Sequence, residues 1–239
     1  MNQGFEELDW RPTPIGTLSL RRRKSPSSGE DIYEIKLGDA FLMSSLFTVA
    51  EIALAELGLA AAPGAELDVV VGGLGLGYTA KAALQDERVR SLLVVEALPE
   101  VIEWHRTGLL PLGEGLTADA RCRFVEGDFF QFSNSERGFD PVDPDRLFHA
   151  ILLDIDHSPR QVLAPDNAAF YTPDGLRRLA ARLQPSGVFA LWSNEPPDED
   201  FQTVLREVFP SSDAHVVSFS NPHQDRLATN TVYVATKGR

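Results

Sequence analysis

One short stretch constrains the fold of this chain more than any other: DVVVGGLGLGY, residues 68–78. An apolar, β-branched run that ends in glycines is typical of a buried strand in a parallel sheet, followed by a tight turn. Glycine is needed where the chain turns sharply and where a ligand lies against bare backbone. Because a helix is expected to start at Thr79, its free N–H groups favour an electron-rich ligand group. The stretch therefore predicts a strand, a binding loop and a helix in succession.

The spacing of the glycines indicates the kind of ligand. Gly73, Gly75 and Gly77 follow the pattern G-x-G-x-G, whereas dinucleotide-binding enzymes carry G-x-G-x-x-G. The pattern favours an adenosyl sulfonium compound such as S-adenosylmethionine over NAD. It makes Gly72 and these three glycines the predicted cofactor-binding loop. The alternative is a strand-to-helix turn that binds nothing.

Strands and helices alternate after the glycine loop, which predicts a parallel sheet wrapped by helices. Further strands are predicted at 92–96, 123–126, 150–154 and 187–192. The last two predicted strands, 214–219 and 231–235, are joined by a loop alone, so we expect them to pair antiparallel. This is the plan of a class I methyltransferase-like (Rossmann-like) α/β domain, with a seven-stranded sheet and a C-terminal antiparallel hairpin.

The first forty residues indicate a smaller unit. Residues 1–16 carry two prolines and are expected to be an irregular lead-in. Apolar and polar residues then alternate in two segments, which predicts a β-hairpin over 17–23 and 31–37. A helix is predicted over 41–59, where apolar residues recur at helical spacing. The chain is therefore divided into an N-terminal β-hairpin appendage, residues 1–40, and a Rossmann-like domain that binds an adenosyl sulfonium, residues 41–239.

Composition excludes several classes of function. The formal net charge of −13 disfavours nucleic-acid binding, since phosphate contacts need a basic surface, and favours a cationic small-molecule substrate. Cys122 is the single cysteine, and no Cys/His cluster has metal-binding spacing, so neither a disulfide nor a metal is expected. No apolar run approaches the roughly 20 residues that cross a bilayer, and the acidic N-terminus is unlike a secretory signal. We therefore expect a cytoplasmic protein that does not bind membranes.

Acidic residues follow the predicted strands at their carboxyl ends, where ligands bind in an open α/β sheet. Glu96 lies about 20 residues beyond the glycines, a position suited to accepting both ribose hydroxyls. Asp128 follows the next strand, where a carboxylate could accept from an adenine amino group. The alternative for each residue is a solvated loop charge.

The loop DIDHSP contains the predicted catalytic residues Asp154, Asp156 and His157. A carboxylate here can take a proton from an ammonium group, which frees the nitrogen lone pair to attack an electrophilic carbon. His157 could do the same nearer neutral pH. Alternatively, Asp156 caps the turn and His157 faces solvent. Tyr171 could pack over the ligand or belong to the core.

From about residue 38 to its C-terminus, the chain resembles the spermidine synthase family of polyamine aminopropyltransferases. The segments that carry the resemblance are VVVGGLGLG, VVEALPEVIEWHR, FVEGDFFQF, HAILLDIDHSP and AAFYTPDGLRRLAARLQPSGVFALW. The resemblance implies that Glu96 binds the ribose, that Asp128 lies on the adenine side and that Asp154 deprotonates the amine. It also implies a homodimer that transfers an aminopropyl group from decarboxylated S-adenosylmethionine to a polyamine and releases methylthioadenosine.

The amine end of the pattern departs from the family. Gly75 stands where the family usually carries an aspartate that holds the aminopropyl amine, and Leu98 replaces a second acid. The stretch 45–51 reads SLFTVAE where a Tyr-His-Glu cluster is usual, and the C-terminal hairpin lacks the family's Pro-Thr-Tyr-Pro and Trp pattern. Three functions stay open: an aminopropyltransferase-like enzyme with a different acceptor, an S-adenosylmethionine-dependent methyltransferase, and a non-catalytic protein that binds a nucleoside or a protein partner.

Overall fold

The computed structural model describes residues 4–26, 28–221 and 226–239. Its N-terminal part is a four-stranded antiparallel sheet in sequential order. The strands are β1 (Phe5–Thr13), β2 (Gly16–Lys24), β3 (Asp31–Leu37) and β4 (Ala40–Ser44). One face of this sheet packs against the rest of the chain, since Leu18, Leu20 and Ile35 are buried in the same core as Leu54 and Leu76.

Two expectations for the N-terminal part are wrong. The irregular lead-in predicted for residues 1–16 is instead largely β1, which pairs with β2 along its length. The helix predicted over 41–59 starts later, because Ala40–Ser44 pairs with β3 and the helix α1 spans Val49–Ala61. The predicted hairpin is present as β2 and β3, with a strand on either side. The division of the chain at residue 40 stays a prediction.

The main sheet has seven strands, as the sequence predicts. They are β5 (Leu67–Gly72), β6 (Val89–Glu96), β7 (Cys122–Glu126), β8 (Phe148–Leu153), β9 (Leu183–Ser193), β10 (Ser211–Asn221) and β11 (Arg226–Thr236). Their order is β10-β11-β9-β8-β5-β6-β7. The strands β5 to β9 are parallel, and β11 and β10 add an antiparallel edge. The strand order reverses between β5 and β8, and a ligand is expected at that point.

Helices cover both faces of this sheet. They are α1, α2 (Tyr78–Gln85), α3 (Pro99–Arg106), α4 (Gly113–Ala118), α5 (Phe129–Asn134), α6 (Pro173–Ala180) and α7 (Glu199–Val208), with a 3-10 helix over Pro165–Tyr171. Val69 and Val71 face the core that includes α1, α2 and α3, whereas Val70 faces the core that includes α5, α6 and α7. The run of valines is continuous because successive side chains of a strand point to opposite faces, and both faces are buried. None of the helices in the described ranges is long and apolar enough to span a membrane.

Candidate active site

A cavity of about 260 Å³ lies at the carboxyl ends of β5, β6 and β8. It is lined by the glycine loop, by acidic side chains that follow the strands, and by side chains of the N-terminal sheet. The residues that matter for its chemistry are Gly73, Gly75, Glu96, Asp128, Asp154, His157 and Glu51. The cavity lies at the strand ends where the sequence predicts a site, and side chains of the N-terminal sheet line it on one side: Ile35, Leu37, Leu42 and Met43.

The glycine loop adopts backbone conformations that require glycine. Gly73 has φ +93°, and a side chain there would overlap the carbonyl oxygen of Asp154. Gly75 has φ +46°, and a Cβ would lie 2.6 Å from the Sδ atom of Met43. Both glycines line the cavity, whereas Gly72 ends β5 and Gly77 precedes the first residue of α2. The loop thus brings bare backbone to the cavity wall, as predicted.

The buried side chain of His105, on α3, contacts the glycine loop through the carbonyl oxygen of Gly75. The sequence analysis did not select His105 as a site residue. Its side chain is fully buried, and Nε2 lies 2.9 Å from the carbonyl oxygen of Gly75. Because a carbonyl can only accept, Nε2 carries the proton and donates. Burial lowers the pKa of His105, so the ring is neutral when it makes this contact. Its position within the sequence of α3 gave no sign of this role.

Glu96 lies at the end of β6 with both carboxylate oxygens engaged. Oε2 accepts from the backbone N–H of Leu74 at 3.0 Å, and Oε1 accepts from that of Leu98 at 2.9 Å. Burial raises the pKa of Glu96, while these backbone N–H groups act in the opposite direction. Each carboxylate oxygen keeps further acceptor capacity toward the cavity. The geometry fixes Glu96 against the glycine loop, and its ribose contact stays a prediction.

Asp128 has a structural task that the sequence did not indicate. It is the N-cap of α5, where Oδ1 accepts from the backbone N–H groups of Phe130 at 2.8 Å and Gln131 at 3.2 Å. Such caps stabilise a helix start by about 1 kcal/mol. Asp128 also lines the cavity, beside Phe130. The proposed contact with adenine stays a prediction that must coexist with the cap.

Asp154 follows β8 and lines the cavity. Its Oδ2 accepts a hydrogen bond of 2.7 Å from the hydroxyl of Thr79, on the first turn of α2. Burial raises the pKa of Asp154 to about 6, against the opposing effect of this hydrogen bond. The carboxylate is therefore ionised at neutral pH, and it is a much better proton acceptor than a solvated aspartate.

Glu51 is the second acid at this point, and the sequence analysis did not select it as a site residue. It lies in the first turn of α1, is 8% exposed and lines the same cavity. Burial, and next the charge of Asp154, raise its pKa to about 8. Near neutral pH the two carboxyl groups thus carry a single negative charge between them. The sign in the sequence was a lone acid on an otherwise apolar stretch, VAEIALA.

Of the other three predicted catalytic residues, one lines the cavity and two lie in the core beside it. His157 lines the cavity, whereas Asp156 and Tyr171 lie outside the set of described residues that line it. Asp156 is buried and accepts hydrogen bonds from three groups: the Leu163 backbone N–H at 2.6 Å, the Asn167 amide at 2.9 Å and the Tyr171 hydroxyl at 2.8 Å. This arrangement fastens the loop that follows Asp154. The catalytic roles of Asp156, His157 and Tyr171 stay predictions.

Comparisons with known proteins confirm the predicted resemblance. The chain is 28% identical over 152 residues to polyamine aminopropyltransferase 2 of Pseudomonas aeruginosa, a match that covers 59% of this chain and 39% of that protein. The matched part thus spans about two fifths of the relative's length. No protein-family model matches the chain.

Two solved structures share the fold. Spermidine synthase from Thermotoga maritima superposes with a TM-score of 0.72 at 18% identity, covering 97% of this chain and 73% of that one. A spermidine synthase crystallised with the transition-state analogue AdoDATO gives a TM-score of 0.73 at 17% identity, covering 97% and 74%. These similarities establish the predicted α/β architecture with its C-terminal hairpin. The N-terminal unit, predicted as a hairpin, is a four-stranded sheet.

Proposed function

We propose that this chain, like the family it resembles, is a transferase that moves an aminopropyl group from decarboxylated S-adenosylmethionine to an amine acceptor. The observation that carries the proposal is the convergence of the glycine loop, Glu96 and Asp154 on one cavity at the strand ends. The similarity to an aminopropyltransferase and to spermidine synthases supports this choice of donor.

In this proposal the site divides into a nucleoside part and a reacting part. The glycine loop and Glu96 bind the ribose side of the donor, and Asp128 lies on the adenine side. Asp154, at the end of the neighbouring strand β8, faces the amine. Asp156 and Tyr171 act by fixing the loop that carries Asp154 and His157.

The chemical step needs positioning and a neutral amine. The amine nitrogen attacks the aminopropyl carbon beside the sulfonium, so that a C–N bond forms as the C–S bond breaks. The electron pair of the C–S bond passes to sulfur, and methylthioadenosine leaves. Asp154 takes the proton from the amine, a role that suits a carboxylate whose pKa is raised to about 6. Because sulfonium is already a good leaving group, holding the reactants in line supplies most of the remaining rate.

A methyltransferase that uses S-adenosylmethionine itself is the second candidate, and Gly75 favours it. An acid in the glycine loop would repel the carboxylate that S-adenosylmethionine keeps and its decarboxylated form lacks. Gly75 carries no acid, and a side chain at this position would have to displace Met43, whose Sδ would lie 2.6 Å from the new Cβ. The absence of an acid at Gly75 thus removes one obstacle to S-adenosylmethionine as the donor.

The test is product analysis. The purified protein is incubated with a panel of amines and decarboxylated S-adenosylmethionine, and separately with S-adenosylmethionine. Release of methylthioadenosine together with an aminopropylated amine supports the proposal. Release of S-adenosylhomocysteine instead supports methyl transfer, and the absence of turnover with both donors supports a non-catalytic binding protein.

The predicted homodimer and the predicted cytoplasmic location belong to this proposal. A mass in solution twice that of the 26.3 kDa chain supports the dimer, and a mass equal to that of one chain contradicts it.

A further inference from the structure

A second cavity, of about 500 Å³, adjoins the first. Of the described residues, four line both cavities: Leu42, Met43, Glu51 and Trp192. The second cavity lies between the N-terminal sheet, which contributes β2, β3 and β4, and the C-terminal hairpin of β10 and β11. Glu51 therefore lies where the two cavities meet, a point that we call the neck. Asp154, the other member of the carboxyl pair, lines the first cavity.

The walls of the second cavity are mainly apolar. Three phenylalanines contribute to them: Phe41, Phe47 and Phe219. The rings of Phe47, just before α1, and Phe219, on β10, have centroids 6.0 Å apart, so an aromatic wall bridges the two parts of the chain. Leu42, Met43 and Trp192 continue this surface to the neck.

The charges in the second cavity largely cancel. Arg23 Nε lies 2.7 Å from Glu34 Oε1, and the two side chains are 22% and 10% exposed. Among the described residues that line this cavity, Glu51 is the one acid without a basic partner. A cationic ligand therefore finds one carboxyl group, at the neck, and an apolar surface beyond it.

This distribution of charge disfavours a linear polyamine. Such a molecule carries an ammonium group every few carbons, and each buried ammonium group needs a carboxylate or other acceptor to offset the loss of water. An apolar group needs no such acceptor, and its burial contributes about 25 cal/mol of favourable free energy for each Å² of apolar surface removed from water.

We infer that the second cavity binds the acceptor, and that the acceptor is a monoamine with an aromatic or branched apolar body rather than a linear polyamine. This inference rests on the proposed transfer reaction. The amine lies at the neck beside Glu51 and Asp154, and its body packs on the phenylalanines of the second cavity. The donor occupies the first cavity, so that amine and donor meet at the carboxyl pair.

Calorimetric titrations with 2-phenylethylamine and 1,4-diaminobutane test the inference, each with and without saturating methylthioadenosine. We expect 2-phenylethylamine to bind about tenfold more tightly or better. Tighter binding of the diamine, or no binding of 2-phenylethylamine under either condition, would overturn the inference. Methylthioadenosine is titrated separately, so that failure of the proposed nucleoside site is distinguished from failure of the acceptor site.

Variants of the aromatic wall locate the binding. Phe219→Ala should lower the affinity for 2-phenylethylamine about fivefold or more and leave the affinity for methylthioadenosine unchanged. Val216→Ala is the matched control, since Val216 is an exposed apolar residue on the same strand and should have no effect. If Phe219→Ala fails to fold, Phe41→Ala on β4 tests the opposite wall. Unchanged amine affinity in the folded variants would contradict the assignment.

Discussion

Thr79 donates a hydrogen bond of 2.7 Å to Oδ2 of Asp154, and this contact joins the start of α2 to the end of β8. The two residues follow β5 and β8, the neighbouring strands between which the strand order reverses. The hydroxyl stabilises the ionised carboxylate, whereas burial destabilises it, and burial prevails. The fold thus holds an aspartate in one orientation with a pKa raised to about 6.

Asp154→Asn is expected to remove a proton acceptor with little change in shape. Turnover should fall about a hundredfold or more, because an amide cannot take the proton of the amine. Affinity for methylthioadenosine should stay within a few-fold of the parent value. Asp174→Asn, at an exposed carboxylate on α6, is the control and should behave as the parent. Full activity of the Asp154 variant would remove this residue from the proposed mechanism.

Glu96→Ala should weaken binding of methylthioadenosine. The change removes the proposed ribose acceptor and also leaves the N–H groups of Leu74 and Leu98 without their partner. A loss of about tenfold to a hundredfold in affinity follows from hydrogen bonds to a charged group. Calorimetry measures it, with Glu87→Ala at an exposed position after α2 as the control. Unchanged affinity would mean that Glu96 does not contact the nucleoside.

Tyr171→Phe separates a catalytic role from a structural one. The hydroxyl donates 2.8 Å to buried Asp156, so its loss should lower the free energy of unfolding by about 1–2 kcal/mol. Because Tyr171 lies outside the described lining of the cavity, kcat should change by no more than a few-fold at a temperature where the variant is folded. A large loss of kcat without a loss of stability would instead support the predicted catalytic role of Tyr171.

Glu51→Gln should change how stability depends on pH. The pKa of Glu51 is raised from its ordinary 4.5 to about 8, so between these values the folded protein holds a proton that the unfolded chain releases. The free energy of unfolding contributed by Glu51 is fully present below pH 4.5 and is lost as the pH rises through 8. The variant lacks this loss, which is on the order of 3 kcal/mol between pH 5 and 8.

Urea unfolding at several pH values measures the effect of Glu51. Glu56→Gln is the matched control, since Glu56 is exposed on the same helix and should keep the parent's pH dependence. Parallel stability curves for the parent and Glu51→Gln would show that Glu51 ionises normally. Glu51 would then be ionised at neutral pH, and the conclusion that it shares a single negative charge with Asp154 would be wrong.

The main sheet could be predicted from the sequence because its physical causes are local. The buried valine run before Gly72, the alternation of strands and helices, and the absence of a crossover helix before residue 231 each specify part of the topology. The positions of Glu96 and Asp154 at the strand ends followed directly from that topology, since parallel strands end at one edge of a sheet.

The missed features depend on contacts distant in sequence. The strand β1 has no clear apolar alternation, and ion pairs with β2 help to hold it, such as Glu6 with Arg22 at 2.6 Å. Apolar residues recur at helical spacing over 41–59, yet the pairing of Ala40–Ser44 with β3 decides the conformation where this stretch begins. Glu51 precedes Asp154 by about a hundred residues, so the carboxyl pair exists only once α1 packs beside β8.

Calorimetric titration of the purified protein with methylthioadenosine and, separately, with S-adenosylhomocysteine tests the central claim most directly. The account predicts that methylthioadenosine binds clearly more tightly, because the site is proposed to serve a donor that lacks a carboxylate. Tighter binding of S-adenosylhomocysteine would contradict aminopropyl transfer and support methyl transfer. Binding of neither compound would contradict the nucleoside site itself.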